Sequence, residues 1–163
     1  MARKCFLSFY YKPDNWRVQQ IRNIGAIDEQ PLLSANEWVK IKNKGDAAVE
    51  KWIEENLQGK ECLIVLVGTN TSGRRWVQHE IKRACEKGIG VLGIYIHNLK
   101  DKEGNQTTKG TNPFTGITVA GKSITTYAKM YDPPYAMSTN VYNHICETIG
   151  DWVEDAVQLR RQR

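Results

Sequence analysis

Trp76 and Glu80 stand four residues apart, just after the polar segment Thr69-Asn-Thr-Ser-Gly-Arg-Arg75, which itself follows the most apolar run of the chain, Cys62-Leu-Ile-Val-Leu-Val-Gly68. A spacing of four stacks both side chains on one helical face, within a turn of the helix start. A loop leaving the carboxyl end of a buried strand is where open α/β sheets keep their ligand crevices. An aromatic plane beside a carboxylate in such a crevice suits a ligand with a flat ring and a developing positive charge. Taken alone, the residues leave two readings open. Glu80 is either a reacting carboxylate or a first-turn glutamate that complements the helix dipole, a role worth about 0.3–1 kcal/mol. Trp76 suits stacking and packing equally. Ser72 could cap the helix, Arg74 and Arg75 could be solvated charges, and the loop from Thr69 and Asn70 to Gly73 has a composition able to cradle a phosphate.

Other chemistries find no support. A phosphoacceptor receiver needs an Asp at the end of its third strand, where this chain reads Val67-Gly68-Thr69. A flavin phosphate loop needs a small, hydroxyl-rich turn after the first strand, and Phe9-Tyr10-Tyr11-Lys12 is too bulky. Glycine-rich dinucleotide, Walker and nucleophile-elbow motifs are missing. His79, His97 and His144 are scattered, which supports neither a metal site nor a His-based triad. The four cysteines are isolated and fall within predicted elements, so buried reduced thiols are expected.

The elements that must position Trp76 and Glu80 follow from periodicity. Lys4–Tyr10 reads as a short buried strand, followed by a helix capped by Asp14 with Val18 and Ile21 inward. Ile24–Ile27 reads as a second strand. Asp46 caps an amphipathic helix through Val49, Trp52, Ile53 and Leu57, stopped by Gly59. Glu61–Val67 is a third strand, the Trp76 helix buries Val77, Ile81, Ala84 and Cys85, and Val91–Ile96 is a fourth strand. Residues 97–122 form a polar, glycine-rich loop insertion, and long loops of this kind are often functional or mobile. Ser123–Tyr131 is a fifth strand, and Asn140–Leu159 the last helix before a basic tail at 160–163. The alternation predicts an α/β, flavodoxin-like, three-layer fold with a five-stranded, mostly parallel sheet of order 2-1-3-4-5. In that order the first and third strands deliver Ser8–Tyr11 and Gly68–Glu80 to one crevice.

The bulk properties agree with one domain over 1–163. The 163 residues are 40% apolar and 25% charged, ordinary globular values. A net charge of +5, with Lys and Arg spread along the chain, is too modest to imply a nucleic-acid partner. With no signal-peptide pattern and no apolar run near ~18 residues, a soluble, cytoplasmic protein without membrane attachment is expected.

At these residues the chain resembles a TIR-family domain, and within that family the branch that includes the TIR proteins of bacterial Thoeris anti-phage systems. Cys5-Phe-Leu-Ser-Phe9 resembles the opening strand motif, and Leu63–Ile81 resembles the third strand, polar loop and Ser-x-x-Trp-x-x-x-Glu-Ile helix start. The stretch near Tyr131-Asp132 and the closing Ile149-Gly-Asp-Trp-Val-Glu-Asp-Ala156 resemble the branch's C-terminal part. Tyr10-Tyr11-Lys12-Pro13 departs from the acidic, glycine-rich first loop of eukaryotic signalling members.

The resemblance implies an enzyme that takes NAD+ as substrate, with no separate cofactor and no metal, and cleaves its nicotinamide–ribose bond with Glu80. The chemistry suits a lone carboxylate, because nicotinamide departs neutral and positive charge migrates onto the ribose as an oxocarbenium ion. Unit charges at 4 Å and an effective dielectric near 20 interact by roughly 4 kcal/mol, about a thousandfold in rate. The same resemblance implies rings flanked by Phe9 and Trp76, and ribose or phosphate oxygens held by Ser8, Thr69, Asn70 and Ser72. Arg74 or Arg75 is expected on the pyrophosphate and His79 behind the reacting residues. It further implies an ADP-ribose-derived signal, cyclic or conjugated, a separate effector protein that senses it, assembly into a homo-oligomer on activation, and gating by the 97–122 loop. A non-catalytic interaction scaffold and a nucleoside deoxyribosyltransferase-like enzyme are the rival readings.

Overall fold

Strands that are buried along their whole length can only sit between two layers of helix, and the computed structural model, which describes residues 2–162, shows that arrangement. In chain order the elements are β1 (Lys4–Phe9), α1 (Tyr11–Arg22), β2 (Asp28–Glu29), α2 (Ala35–Asn43), α3 (Asp46–Leu57), β3 (Cys62–Val67), α4 (Arg75–Glu86) and β4 (Gly90–Tyr95). They continue with a small antiparallel hairpin, β5 (Thr118–Val119) and β6 (Lys122–Ser123), then β7 (Lys129–Tyr131) and α5 (Ser138–Arg161). The central sheet is parallel throughout, in the order β2-β1-β3-β4-β7, which is 2-1-3-4-5 when the hairpin is left out. The expected α/β, flavodoxin-like architecture is therefore present.

Alternation along the strands assigns each side chain to a layer. Cys5 and Leu7, Ile64 and Leu66, and Leu92 and Ile94 pack with Val18 and Ile21 of α1 and with Val141, Ile145 and Val153 of α5. The intervening Phe6, Leu63, Val65, Val67 and Val91 pack with Val49 and Ile53 of α3 and with Val77, Ile81 and Ala84 of α4. Ser8 lies two residues beyond Phe6 and opposite Val65 in the β1–β3 register. Its side chain therefore points to the α3/α4 layer, where Glu80 comes down.

Several local expectations need correction. The second strand lies at Asp28–Glu29, not Ile24–Ile27, because the chain first turns through Gly25 at a φ of 73° and sends Ile27 into the core. β2 is then extended by a side chain: the Gln30 amide accepts from the Leu7 N–H at 2.9 Å and donates to the Leu7 carbonyl at 3.0 Å. Asp14 caps nothing; α1 begins at Tyr11, and Asp14 is buried against Arg17. Asp46 is the first helical residue of α3, behind Gly45. Helix α2 was not expected, although Ser34 and Glu37 form a reciprocal capping box at its start. Of Ser123–Tyr131, only Lys129–Tyr131 joins the sheet, after a 3₁₀ turn at Ile124–Thr126. The basic end is not a free tail as far as Arg161: α5 continues through it, and Arg160 donates to the Cys85 carbonyl at 2.9 Å while lying 4.2 Å over the Tyr127 ring. Residue 163 lies outside the described residues.

Residues 97–122 are packed onto the sheet end. Leu99 and Phe114 are fully buried, and Gly110 lies so close to the Gly68 and Thr69 carbonyls that a Cβ there would collide with them. Arg17, buried at 3% exposure, donates to the Leu99 and Asn105 carbonyls at 2.8 and 3.0 Å, tying the segment to α1. Among the described residues no helix is long and apolar enough to cross a membrane, and no cluster of His, Cys, Asp and Glu could hold a metal ion.

Candidate active site

Glu80 is buried at 7% exposure, and its Oε1 accepts a hydrogen bond from Ser8 Oγ at 2.6 Å. Strand alternation supplies the serine, and the second turn of α4 supplies the glutamate. Burial pushes the Glu80 carboxyl up to about 8, and the Ser8 hydroxyl opposes this only in part. Oε2 has no hydrogen-bond partner among the described residues and is the oxygen left for a ligand.

Glu80 lines a cavity of about 770 Å³, within the range of small-molecule sites. The cavity opens at the carboxyl end of β1, bounded by the starts of α1 and α4 and by α2 and α3. Phe9, Arg74, Arg75 and Trp76 line it, so four of the expected residues converge on Glu80, with Ser8 behind it. Among the described residues Glu80 is the only carboxylate in the lining.

The cations differ in their availability. Arg75 is held by Asp46 at 2.6 Å and lies 4.5 Å over the Trp76 ring. Arg74 lies 3.8 Å over the Tyr10 ring and forms no ion pair among the described residues. Trp76 is clamped from its other neighbour by His79, whose ring centroid is 5.5 Å away at a steep angle. His79 thus supports the tryptophan rather than the carboxylate.

Thr69, Asn70 and Ser72 do not reach this cavity. Thr69 Oγ1 donates to the Thr108 carbonyl at 2.6 Å and meets Thr107 Oγ1 at 2.8 Å. Ser72 Oγ pairs with Thr111 Oγ1, and the Asn70 carbonyl accepts from Arg74 Nε at 3.3 Å. The hydroxyls expected to hold phosphate instead fasten the loop to residues 107–111, a contact no local pattern announces. Ser72 does not cap α4 either; Arg74 occupies that position without a side-chain bond. The 97–122 segment contributes nothing to the cavity lining, so the gate expected there stands away from Glu80.

The cavity also has contributors the sequence reasoning missed. Tyr10 and Lys12 come from the bulky turn after β1, and Trp38 and Lys42 from α2. Trp52, expected on a packed face, is half-buried and lines the cavity too. The signal for α2 was present in Ser34-Ala-Asn-Glu37 followed by Trp38 and Ile41, a capping box before helically spaced apolar residues.

A model of the family described as Thoeris protein ThsB, TIR-like domain, matches residues 6–101, the stretch from β1 past β4 that carries Ser8 and Glu80. The chain is 36% identical over 119 residues to a Bacillus cereus (strain MSX-D12) protein named "Putative cyclic ADP-D-ribose synthase ThsB1". That match covers 70% of this chain and 62% of the relative, so the chain spans less than two thirds of the relative's length.

Proposed function

This chain belongs to the TIR-like domain family of the Thoeris protein ThsB, and from that premise we propose that it cleaves NAD+ at the nicotinamide–ribose bond. The product is an ADP-ribose-derived signal, cyclic or conjugated, that a separate effector protein senses in anti-phage defence. The named activity of the Bacillus cereus relative favours the cyclic form. The single observation that carries the proposal is Glu80, among the described residues the lone carboxylate in a cavity lined by Trp76, held there at one oxygen by Ser8 and free at the other.

The mechanism follows from burial. Without substrate, desolvation keeps Glu80 largely neutral near pH 7. A cationic nicotinamide ring entering the cavity favours the ionised form, so substrate binding and Glu80 ionisation reinforce each other. As the C–N bond breaks, its electron pair leaves with neutral nicotinamide and the ribose becomes an oxocarbenium ion. The Glu80 carboxylate stabilises that cation and orients the sugar through a hydroxyl, while the Ser8 hydroxyl holds the carboxylate in place. Trp76 supplies a stacking face and excludes water. Capture of the cation by a substrate hydroxyl, a bound small molecule or water then gives a cyclic isomer, a conjugate or ADP-ribose respectively.

Purified protein incubated with NAD+ and followed by mass spectrometry tests the proposal. Nicotinamide release is expected from the unaltered chain, and its loss by at least about a hundredfold in Glu80→Gln, a near-isosteric change that removes only the charge. Folded protein that releases no nicotinamide, even when concentrated or mixed with phage-infected lysate, would return the scaffold reading. Base exchange on deoxynucleosides would instead identify a transferase.

A further inference from the structure

The cavity is built for more than the bond it breaks. Trp76 and Glu80 share one face of α4, yet two further tryptophans line the same space from α2 and α3. Trp38 and Trp52 meet at 5.7 Å between centroids and 64° between planes, and Trp52 in turn meets Phe6 at 5.9 Å and 65°. This edge-to-face ladder climbs from the buried sheet to the cavity wall. An edge-on contact consumes the flat face of one ring at most, so flat faces of the Trp38–Trp52 pair remain for a base. Both rings are half-buried, which leaves aromatic surface exposed in a concave site, the usual condition of a ligand platform.

Charge accompanies the platform. Lys42 follows Trp38 by one helical turn and lines the cavity with it. Among the described residues Lys42, Lys12 and Arg74 form no ion pair, in contrast to Arg75 with Asp46, and the only acidic side chain in the lining is Glu80. Three uncompensated cations in one cavity match a ligand carrying phosphate charge.

We propose that Trp38, with Trp52 behind it and Lys42 beside it, is the seat of the second nucleotide of the substrate, the adenylate half that is not cleaved. This rests on the proposed NAD+ reading of the cavity and extends it. One protomer then holds both ends of the dinucleotide, with the base stacked on the indole pair and the adjoining phosphate on Lys42.

Two substrates and one fragment test it. Free AMP, which lacks the reacting half, is titrated into the unaltered protein, Trp38→Leu, Trp38→Phe and Lys42→Gln; cleavage of NAD+ is compared with that of nicotinamide mononucleotide, which lacks the adenylate. AMP is expected to bind the unaltered chain and to bind about tenfold more weakly to Trp38→Leu, as loss of a stacking face on a base does, with recovery in Trp38→Phe. The kcat/KM preference for NAD+ over the mononucleotide should fall by a similar factor. Lys42 is exposed, so Lys42→Gln reports on binding without endangering the fold, and it too should weaken AMP.

Equal losses on both substrates, AMP affinity indifferent to Trp38 and Lys42, or no AMP binding at millimolar concentration would overturn the seat. Failure of the seat with Glu80-dependent NAD+ cleavage intact leaves the proposed function standing. Trp38-dependent AMP binding by a protein that cleaves neither substrate leaves the seat standing and sinks the function.

Discussion

At the scale of single residues, the Glu80 carboxyl has two opposed duties. The proposed reaction needs its charged form, and the fold favours its neutral one, with the carboxyl pushed up to about 8 by desolvation. For NAD+ cleavage, kcat/KM should therefore fall as pH drops below about 8, because the free protein then holds a protonated Glu80. The kcat profile should have a lower midpoint, since bound cationic substrate favours the carboxylate; coincident midpoints for the two parameters would refute that coupling. Stability carries the opposite sign. A carboxyl near 4.5 in the unfolded chain and near 8 in the folded one binds more protons when folded between those values. Its contribution is complete below about pH 4.5, declines as pH rises toward 8, and is flat above it. Glu80→Gln should thus raise the free energy of unfolding at pH 7.5 by on the order of 2–4 kcal/mol, and with it the thermal midpoint, and the gain should vanish near pH 4. Thermal unfolding at the two pH values decides this, and a variant no more stable at neutral pH would contradict it.

At the scale of elements, the site depends on how the start of α1 and the loop before α4 are braced. Arg17 holds the Leu99 and Asn105 carbonyls and pairs with buried Asp14 at 3.3 Å, while Asp14 packs directly on Gly68 at the end of β3. Burial raises the Asp14 carboxyl and Arg17 offsets that rise. Arg17→Met removes the cation but leaves the carbonyls and the carboxyl buried, so a loss of about 3–5 kcal/mol is expected in denaturant unfolding. Asp14→Asn added to Arg17→Met should recover part of it, since the uncompensated acid is then gone. An Arg17→Met loss below about 1 kcal/mol would show that the brace is not structural. Helix α2 behaves differently: it buries little beyond Ile41 and Trp38, and its capping box holds its start, so its exposed Lys42 can change with small effect on folding.

At the scale of the whole molecule, the +5 net charge includes three cations that form no ion pair among the described residues and that line a cavity with one acidic side chain among those residues. An anionic dinucleotide should therefore be captured better at low salt, and KM for NAD+ should rise severalfold between about 50 and 500 mM salt while kcat changes less. A salt-independent KM would argue against these cations as phosphate contacts. The family resemblance also implies assembly on activation. Val39, beside Trp38 on α2, is half exposed at the cavity wall, an apolar surface that assembly would cover. Turnover per subunit is expected to climb with protein concentration, and an unchanged value across dilution would reject control by assembly.

What the sequence determined by itself was whatever depends on near neighbours along the chain. Periodicities of 2 and 3.6 placed β1, β3, β4, α3, α4 and α5 to within a few residues, and the i, i+4 spacing placed Trp76 and Glu80 on one face. The expected sheet order brings Ser8 and Glu80 to one crevice, but the family resemblance offers the Ser8 hydroxyl to ribose or phosphate oxygens, whereas the fold spends it on Glu80 at 2.6 Å. The tertiary structure alone decided the rest, because the deciding contacts lie far apart in sequence. Thr69 and Ser72 carry hydroxyls fit for a phosphate, but residues 107–111 take them. Arg74 and Arg75 are alike as neighbours, yet Asp46 engages only the second. Trp52 reads as packing and Trp38 lies in no expected element, until the fold turns both, with Trp76, toward the cavity that Glu80 lines. Residue type and spacing set what each group could do; long-range competition for the same donors, charges and faces set which of them remained available to do it.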